Sequence, residues 1–582
     1  MITTRETVQA MPADYIIIGA GTAGLVLANR LSANQNTTVV MIESGPDDRD
    51  NPNVTDPLNR GRNANTPIDW SYESVPQSQL NNRTVEFTAG KLVGGTSMIN
   101  GLMYIRTAVP EIDGWEHLGA TGWNWNTLWP YYKGIERFVD PTSDQTNAGA
   151  GATPEYHGRS GELAVSYPPQ LLTGGPYSTL AATWEGLGIP ICQDANGGKV
   201  EGFTVRPMMI DRESSTRASA AAAFYYPIAE RPNLHLIRGT ALSLLWRDHL
   251  KGEKQVSAGV KYLDGEGNLQ SITLNPSGEV IIAAGALATP PILEASGVGS
   301  QVHLTRLGID VRIDLPGVGE NLQDQPDLTL SYIPKAPTPG SLTPYAAFVT
   351  ARDVFGDKTD VIAESTEANL STWAETVSSS SGHVGKEAIE SIFRHQHDLI
   401  FKKKIAIGEI TLTSSDVIAS EYWSLLPFSR GSIHLRSAVA NEPHKVDINP
   451  RFLQIDYDIQ PFVAIGRLTQ KFWATSPAAD LVTGKKEPKD NEIPPAATDE
   501  QWTSYVKRNM VPNCHVLGTA AMMSRELGGV VDEALRVYGT GNVRVVDASV
   551  IPLQVTGHLV STIYAIAARA ADIILGVKAV PA

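Results

Sequence analysis

The sequence predicts an α/β fold, α+β overall, in which a parallel-sheet domain is interrupted by a second domain built on an antiparallel sheet. Three observations carry this. Residues 14–43 read as strand, glycine turn, helix and strand. The middle of the chain holds antiparallel signals and a Ser/Thr-rich excursion. The C-terminal end returns to a tight, apolar composition. With 582 residues, 42% of them hydrophobic, the chain can bury more than one core.

The first element is the β-branched run Asp14–Ile18. It ends in Gly19-Ala20-Gly21-Thr22-Ala23-Gly24, followed by a helical stretch, Leu25 to Leu31, and a second apolar run, Val39 to Ile42, closed by Glu43. This is one βαβ unit. The spacing Gly19-x-Gly21-x-x-Gly24 lets backbone approach a pyrophosphate closely. The helix start offers unpaired N–H groups and a positive dipole end, so the unit reads as Rossmann-like. Glu43 stands where an acid would accept hydrogen bonds from ribose hydroxyls. An acid there argues against a 2′-phosphate, so NADP is not expected, while FAD and NAD both remain open. The plain alternative is a structural βα turn without ligand.

Further along, Gly90–Asn100 is a second glycine-rich stretch. Residues 107–168, rich in Trp, Tyr and Pro, read as helices and long loops crossing the surface. Residues 240–274 alternate apolar and polar, with turns at Asp264-Gly265 and Gly267-Asn268, and predict an antiparallel hairpin or meander. Glu279 to Ala284 is a continuous apolar strand. Residues 338–390 turn Ser/Thr-rich, an excursion into the second domain, and Ile405–Leu412 and Gly431–Leu435 read as strands of that domain. The expected division is a discontinuous nucleotide domain of residues 1–160, 225–330 and 525–582, with a substrate domain of 161–224 and 331–524.

A formal charge of -15 disfavours nucleic acid and anionic membranes as partners, because both need a positive field. No apolar run approaches the ~20 residues of a membrane helix. The first ten residues are polar and hold no signal-peptide h-region. Cys192 and Cys514 are expected to be free thiols. Sequons begin at Asn36, Asn53, Asn82 and Asn369, acceptors only on exposed turns in a secretory compartment. The spacing of Cys, His and carboxylates suggests no metal site, and His395-Gln396-His397 reads as solvated surface.

Several long segments resemble the glucose–methanol–choline (GMC) oxidoreductase family. Gly90 to Asn100 is similar to its first signature, Gly285 to Gly299 to its second, and Gly319 to Asp324 and Asn513 to Ile574 to further family segments. Thr107 stands where Pro, Ala or Gly is usual, which suggests only a local loop difference. Within the family, Asn51–Asp56, Ile68-Asp69-Trp70, Arg536–Thr540 and Val543–Ser549 resemble fungal FAD-dependent glucose dehydrogenases and glucose oxidases. The resemblance implies a p-hydroxybenzoate hydroxylase-like fold with FAD in the glycine turn, bound by Gly19, Gly21, Thr22, Gly24 and Glu43. It implies that Gly94, Gly95, Thr96, Asn100 and Gly101 wrap the pyrophosphate and outer flavin, and that Asp547 meets the ribityl chain with Ala548, His558 and Val560 nearby. It also implies oxygen or a quinone as electron acceptor, a monomer or homodimer, and, with the sequons, a secreted protein, with the cytoplasm as the alternative.

Oxidising an alcohol requires a proton to leave oxygen as hydride leaves carbon. A neutral imidazole suits the first task, and a second imidazole can hold the substrate oxygen. The family pattern implies His515 as base and His558 as partner, with hydride passing to flavin N5. The plain alternative is two core histidines. The apolar run Leu559 to Leu575 reads as a buried helix whose N-terminus could face the flavin's N1/C2 edge.

The sugar-oxidising relatives carry an Arg where this chain has Val511, two residues before Asn513, and a Tyr that contacts sugar where Arg60 stands here. Glu421 matches a family pocket acid. Losing a bidentate donor costs sugar binding roughly 1–3 kcal/mol. The expected pocket is therefore more apolar at Val511 and more basic at Arg60, or the two changes are neutral drift at the rim. The expected substrate is a less polar alcohol, lactol or phenolic metabolite rather than glucose, as for patulin synthase-type alcohol oxidases. The alternatives are an FAD glucose dehydrogenase, a non-redox member of the versicolorin B synthase or hydroxynitrile lyase type, and a non-catalytic flavoprotein.

Overall fold

The computed structural model describes residues 12–248, 253–336, 344–414, 417–438 and 445–577. Residues 1–11 and the start of the Ser/Thr-rich stretch, 338–343, lie outside them. The first sheet begins with β1 (Ala13–Ile18) and β2 (Val39–Glu43), parallel and in register from Tyr15↔Val39 to Ile18↔Ile42. Both are apolar runs buried along most of their length, as strands covered on both faces must be. Helix α1 (Thr22–Leu31) connects them.

Two long strands serve twice. The first half of β3 (Leu234–Trp246) lies parallel to β2, and its second half runs antiparallel to β4 (Ser257–Asp264). The first half of β5 (Leu269–Ile282) returns antiparallel to β4. Its last residues then lie parallel to β1 on one side and to β6 (Val543–Val545) on the other. The parallel layer therefore runs β3–β2–β1–β5–β6, with the expected meander as an extension of the same strands. Helix α2 (Thr289–Ala295) follows β5.

A second, antiparallel sheet orders its main strands 482–487, 326–334, 418–424, 406–411, 345–350 and 202–205. The strand Pro326–Pro334 begins before residue 330, so the expected boundary there falls inside a strand. Ser432–Leu435 is a strand, but it pairs with Val446–Asn449 as a separate ribbon and does not join this sheet.

Much of the Ser/Thr-rich stretch is one long helix, α3 (Thr359–Ser381), packed on α4 (Lys386–His397). Its buried residues Leu370, Trp373, Ala374 and Val377 follow i, i+3, i+4, i+7, and burying that stripe outweighs the weak helix preference of Ser and Thr. Helix α4 overturns the solvated reading of 395–397. Gln396 and His397 are buried: the Gln396 amide donates to Leu426 O and Pro427 O, and His397 Nε2 lies 3.1 Å from Ala363 O. Burial also pushes His395 down to about 4. Residues 107–168 do form helices and loops, yet Trp115, Trp123 and Tyr132 are fully buried, so they pack inward.

Thr107 is no loose substitution. It is buried, and its hydroxyl donates to Glu111, which also accepts from the Ala108 N–H and from the hydroxyl and N–H of Thr556. This clamp anchors the approach to α5 (Leu559–Leu575), a buried helix packed on α1. Among the described residues no helix is long and apolar enough to cross a membrane. Cys192 and Cys514 are free thiols.

Candidate active site

The C-terminal ends of β1, β2 and β5 open onto a cavity of about 610 Å³ whose far wall is the antiparallel sheet, at Thr411, Glu421 and Trp423. Open α/β sheets bind ligands at this end of their strands. Of the residues singled out from sequence, Gly19, Gly21, Thr22, Glu43, Gly95, Thr96, Asn100, Gly101, Asp547, Ala548 and Val560 line it. So do His515, His558, Asn513, Arg60 and Glu421.

Three do not line the cavity. Gly24 serves packing: a β-carbon there would sit 2.0 Å from the Gly19 carbonyl oxygen, so only glycine lets α1 start this close to β1. Gly94 has a φ of 103° and lies against the Met98 side chain. Val511 is 49% exposed, on a two-residue strand paired beside Asp327, which puts it on the sheet face of Trp423 and Glu421 but outside the cavity lining. The expected apolar change at Val511 therefore falls on a half-exposed rim position rather than inside the cavity. Arg60 does reach the wall, in the field of Glu421.

The glycine end is shaped for a large ligand. Gly101 and Gly285 line the cavity, and a β-carbon on either would meet nothing within 4 Å, so this wall carries no side chains where a cofactor would lie. The Glu43 carboxylate is held by the N–H groups of Ala20 (3.0 Å) and Gly45 (2.8 Å), and burial pushes it up to about 7. Asp547 spends its oxygens on the protein: one accepts from Gly285 N–H and Thr289 Oγ1, the other from Ser549. It buttresses the 285–289 turn from within the wall.

At the other end, the rings of His515 and His558 stand 5.1 Å apart at 86°. The His515 N–H donates to Asp324, and its Nδ1 lies 2.7 Å from Gln325 Oε1. A carboxamide oxygen only accepts, so Nδ1 carries the hydrogen and Nε2 keeps its lone pair. Burial, then the neighbouring His558, hold His515 well below the usual histidine range, in the form a base requires. His558 is the cap residue of α5. Its Nε2 lies 3.1 Å from Arg206 Nη1 and 3.3 Å from Glu409 Oε1, and Arg206 and Glu409 are themselves ion-paired and buried. The Trp423 ring lies 6.5 Å from His515 and 5.8 Å from His558, at 83° to each.

Sequence reasoning missed Gln325, Asp324, Arg206, Glu409 and Trp423. A signal existed for two of them: Arg206 and Glu409 are single charges inside apolar runs, Phe203–Met209 and Ala406–Ile410. A charge buried in this way has to be paired.

Family models for GMC oxidoreductases match residues 13–327 and 427–567. The chain belongs to the GMC oxidoreductases. It is 45% identical to glucose oxidase-like protein fsoC of Humicola fuscoatra over 97% of this chain and 95% of that protein. It is 32% identical to a glucose oxidase of Penicillium chrysogenum over 99% of this chain and 94% of that one. In structure it is similar to an FAD-dependent oxidoreductase of Chaetomium thermophilum, with a TM-score of 0.88, 28% identity and coverage of 97% and 99%. A fungal aryl-alcohol oxidase matches with a TM-score of 0.84, 25% identity and the same coverage. As a GMC oxidoreductase the protein is an FAD-dependent enzyme that oxidises CH–OH groups.

Proposed function

We propose that this GMC oxidoreductase oxidises an alcohol or lactol with an apolar or aromatic body, with His515 as base and His558 as its partner. The observation that carries the reading is the pairing of a neutral, hydrogen-bond-locked His515 with His558 in one cavity. Residues 19–24, Glu43 and 95–101 would hold the cofactor, with the start of α5 beside it. When bound, FAD supplies the two-electron acceptor for the hydrogen on the alcohol carbon. His515 Nε2 takes the hydroxyl proton. His558, tied through Nε2 to Arg206 and Glu409, positions the substrate oxygen with its other ring nitrogen.

Trp423 supports the substrate class, because it sets an aromatic ring beside both histidines in the cavity wall. The final electron acceptor is oxygen or a quinone. A secretory location is supported by exposed sequons at Asn36, Asn53 and Asn82; Asn369 lies within α3, half-buried.

The test is an anaerobic spectrum of the purified protein against glucose, other sugars, aryl and furan alcohols, and lactols. Bleaching of the flavin at about 450 nm by an aryl alcohol or lactol is expected. Ordinary saturation by glucose at millimolar levels would overturn the substrate class, and no bleaching by any compound would favour the non-redox branch.

A further inference from the structure

Outside the cavity, three elements bring metal-binding side chains together. Glu294 lies near the end of α2, His303 on the short helix Gln301–Arg306, and His434 on the strand Ser432–Leu435. Their donor atoms lie within 4.8 Å of one another. His434 Nδ1 is 2.7 Å from Glu294 Oε1. His303, 5% exposed, places Nε2 3.7 Å from Glu294 Oε2, and that nitrogen has no hydrogen-bond partner. A buried polar nitrogen left unpaired is unfavourable. The 3.7 Å gap is too long for a hydrogen bond but close to the spacing of two ligands on one ion. Two bonds of about 2.1 Å at a tetrahedral angle separate their donor atoms by about 3.4 Å.

We propose that Glu294, His303 and His434 form a divalent-metal site, suited to Zn²⁺, that staples α2 of the FAD domain to the 432–449 ribbon. Two imidazoles and one carboxylate, with a fourth position open, are a common zinc donor set. The surroundings match what metal-binding histidines require. The far nitrogen of His434, Nε2, lies 3.0 Å from Glu320 Oε1, the outer carboxylate that orients a ligating imidazole. The Leu435 N–H donates to Glu294 Oε2 at 2.7 Å and fixes that carboxylate. The metal takes the place of the proton between His434 Nδ1 and Glu294. His303 Nδ1 lies 2.9 Å from Arg306 Nη2, and Arg306 is exposed and free to swing away as His303 shifts its hydrogen to Nδ1. No ligand spacing is visible along the chain because the three residues come from separate elements.

The test uses tag-free, flavin-loaded protein, dialysed against chelator and titrated with Zn²⁺ by calorimetry. Metal is counted by elemental analysis after gel filtration. One zinc per chain and a raised thermal midpoint are expected. Glu320→Gln should weaken binding roughly 10- to 100-fold, as loss of an outer partner does, and His303→Ala by more than that. Both variants should keep their flavin absorption. If His303→Ala does not fold, zinc-edge X-ray absorption of the unaltered protein decides, and two imidazoles are expected in its spectrum. No zinc uptake, undiminished uptake by His303→Ala, or a spectrum without imidazole would overturn the site and leave a charge-paired cluster only.

Discussion

Gln325 offers the most direct test of the base assignment. Its Oε1 lies 2.7 Å from His515 Nδ1 and 3.3 Å from the Asn513 amide. Gln325→Leu removes the acceptor that keeps the hydrogen on Nδ1. The imidazole must then bury an unpaired N–H or shift the hydrogen to Nε2, where it blocks the base. A buried hydrogen bond left unmade is worth ~1–3 kcal/mol, which is roughly 5- to 150-fold in rate. The assay is the anaerobic rate of flavin bleaching by the best alcohol, with flavin content as the control for folding. Gln325→Glu is the companion: it keeps an acceptor but adds a negative charge, which raises the pKa of His515. The base works unprotonated, and in the unaltered protein its lowered pKa keeps activity as pH falls below the ordinary ~6.5 of histidine. In Gln325→Glu the acid limb should therefore move to higher pH. A Gln325→Leu rate within twofold of the parent, or an unmoved acid limb in Gln325→Glu, would refute the assignment.

Four further outcomes are expected. His515→Ala should stay yellow and lose bleaching by at least roughly a hundredfold, checked by stopped-flow spectroscopy. Gly24→Ala forces a β-carbon to 2.0 Å from the Gly19 carbonyl and should cost ~1–3 kcal/mol of stability, with lower flavin content, seen by calorimetry and absorbance. Thr107→Ala takes one donor from Glu111 and should lower the thermal midpoint by an amount equivalent to ~1 kcal/mol, with flavin retained. Val511→Ala should leave kcat/KM within twofold for every substrate, since the side chain is outside the cavity; a larger change would show that it contacts substrate.

Local chemistry wrote much of this protein into its sequence. The glycine turn, its acid and the strands on either side are neighbours along the chain, so Gly19, Gly21 and Glu43 could be read without a fold. The histidines were legible because each sits in a long family segment. What escaped was whatever depends on which face a residue turns or which distant strand lies opposite. Val511 comes to the rim of the wall that carries Trp423 because its two-residue strand pairs beside Asp327. Residues 359–381 of the Ser/Thr-rich stretch are helical because four apolar residues on one stripe are buried where α3 packs on α4. Gln325, Arg206 and Glu409 take their places on His515 and His558 only because the second sheet closes over the ends of the first, bringing together residues 190, 352 and 149 positions apart. The glycine turn, its acid and the two histidines were thus open to reading along the chain. The tautomer of His515, the charge partners of His558 and the orientation of both came from the packed fold, because these are properties of contacts between segments that do not meet along the chain.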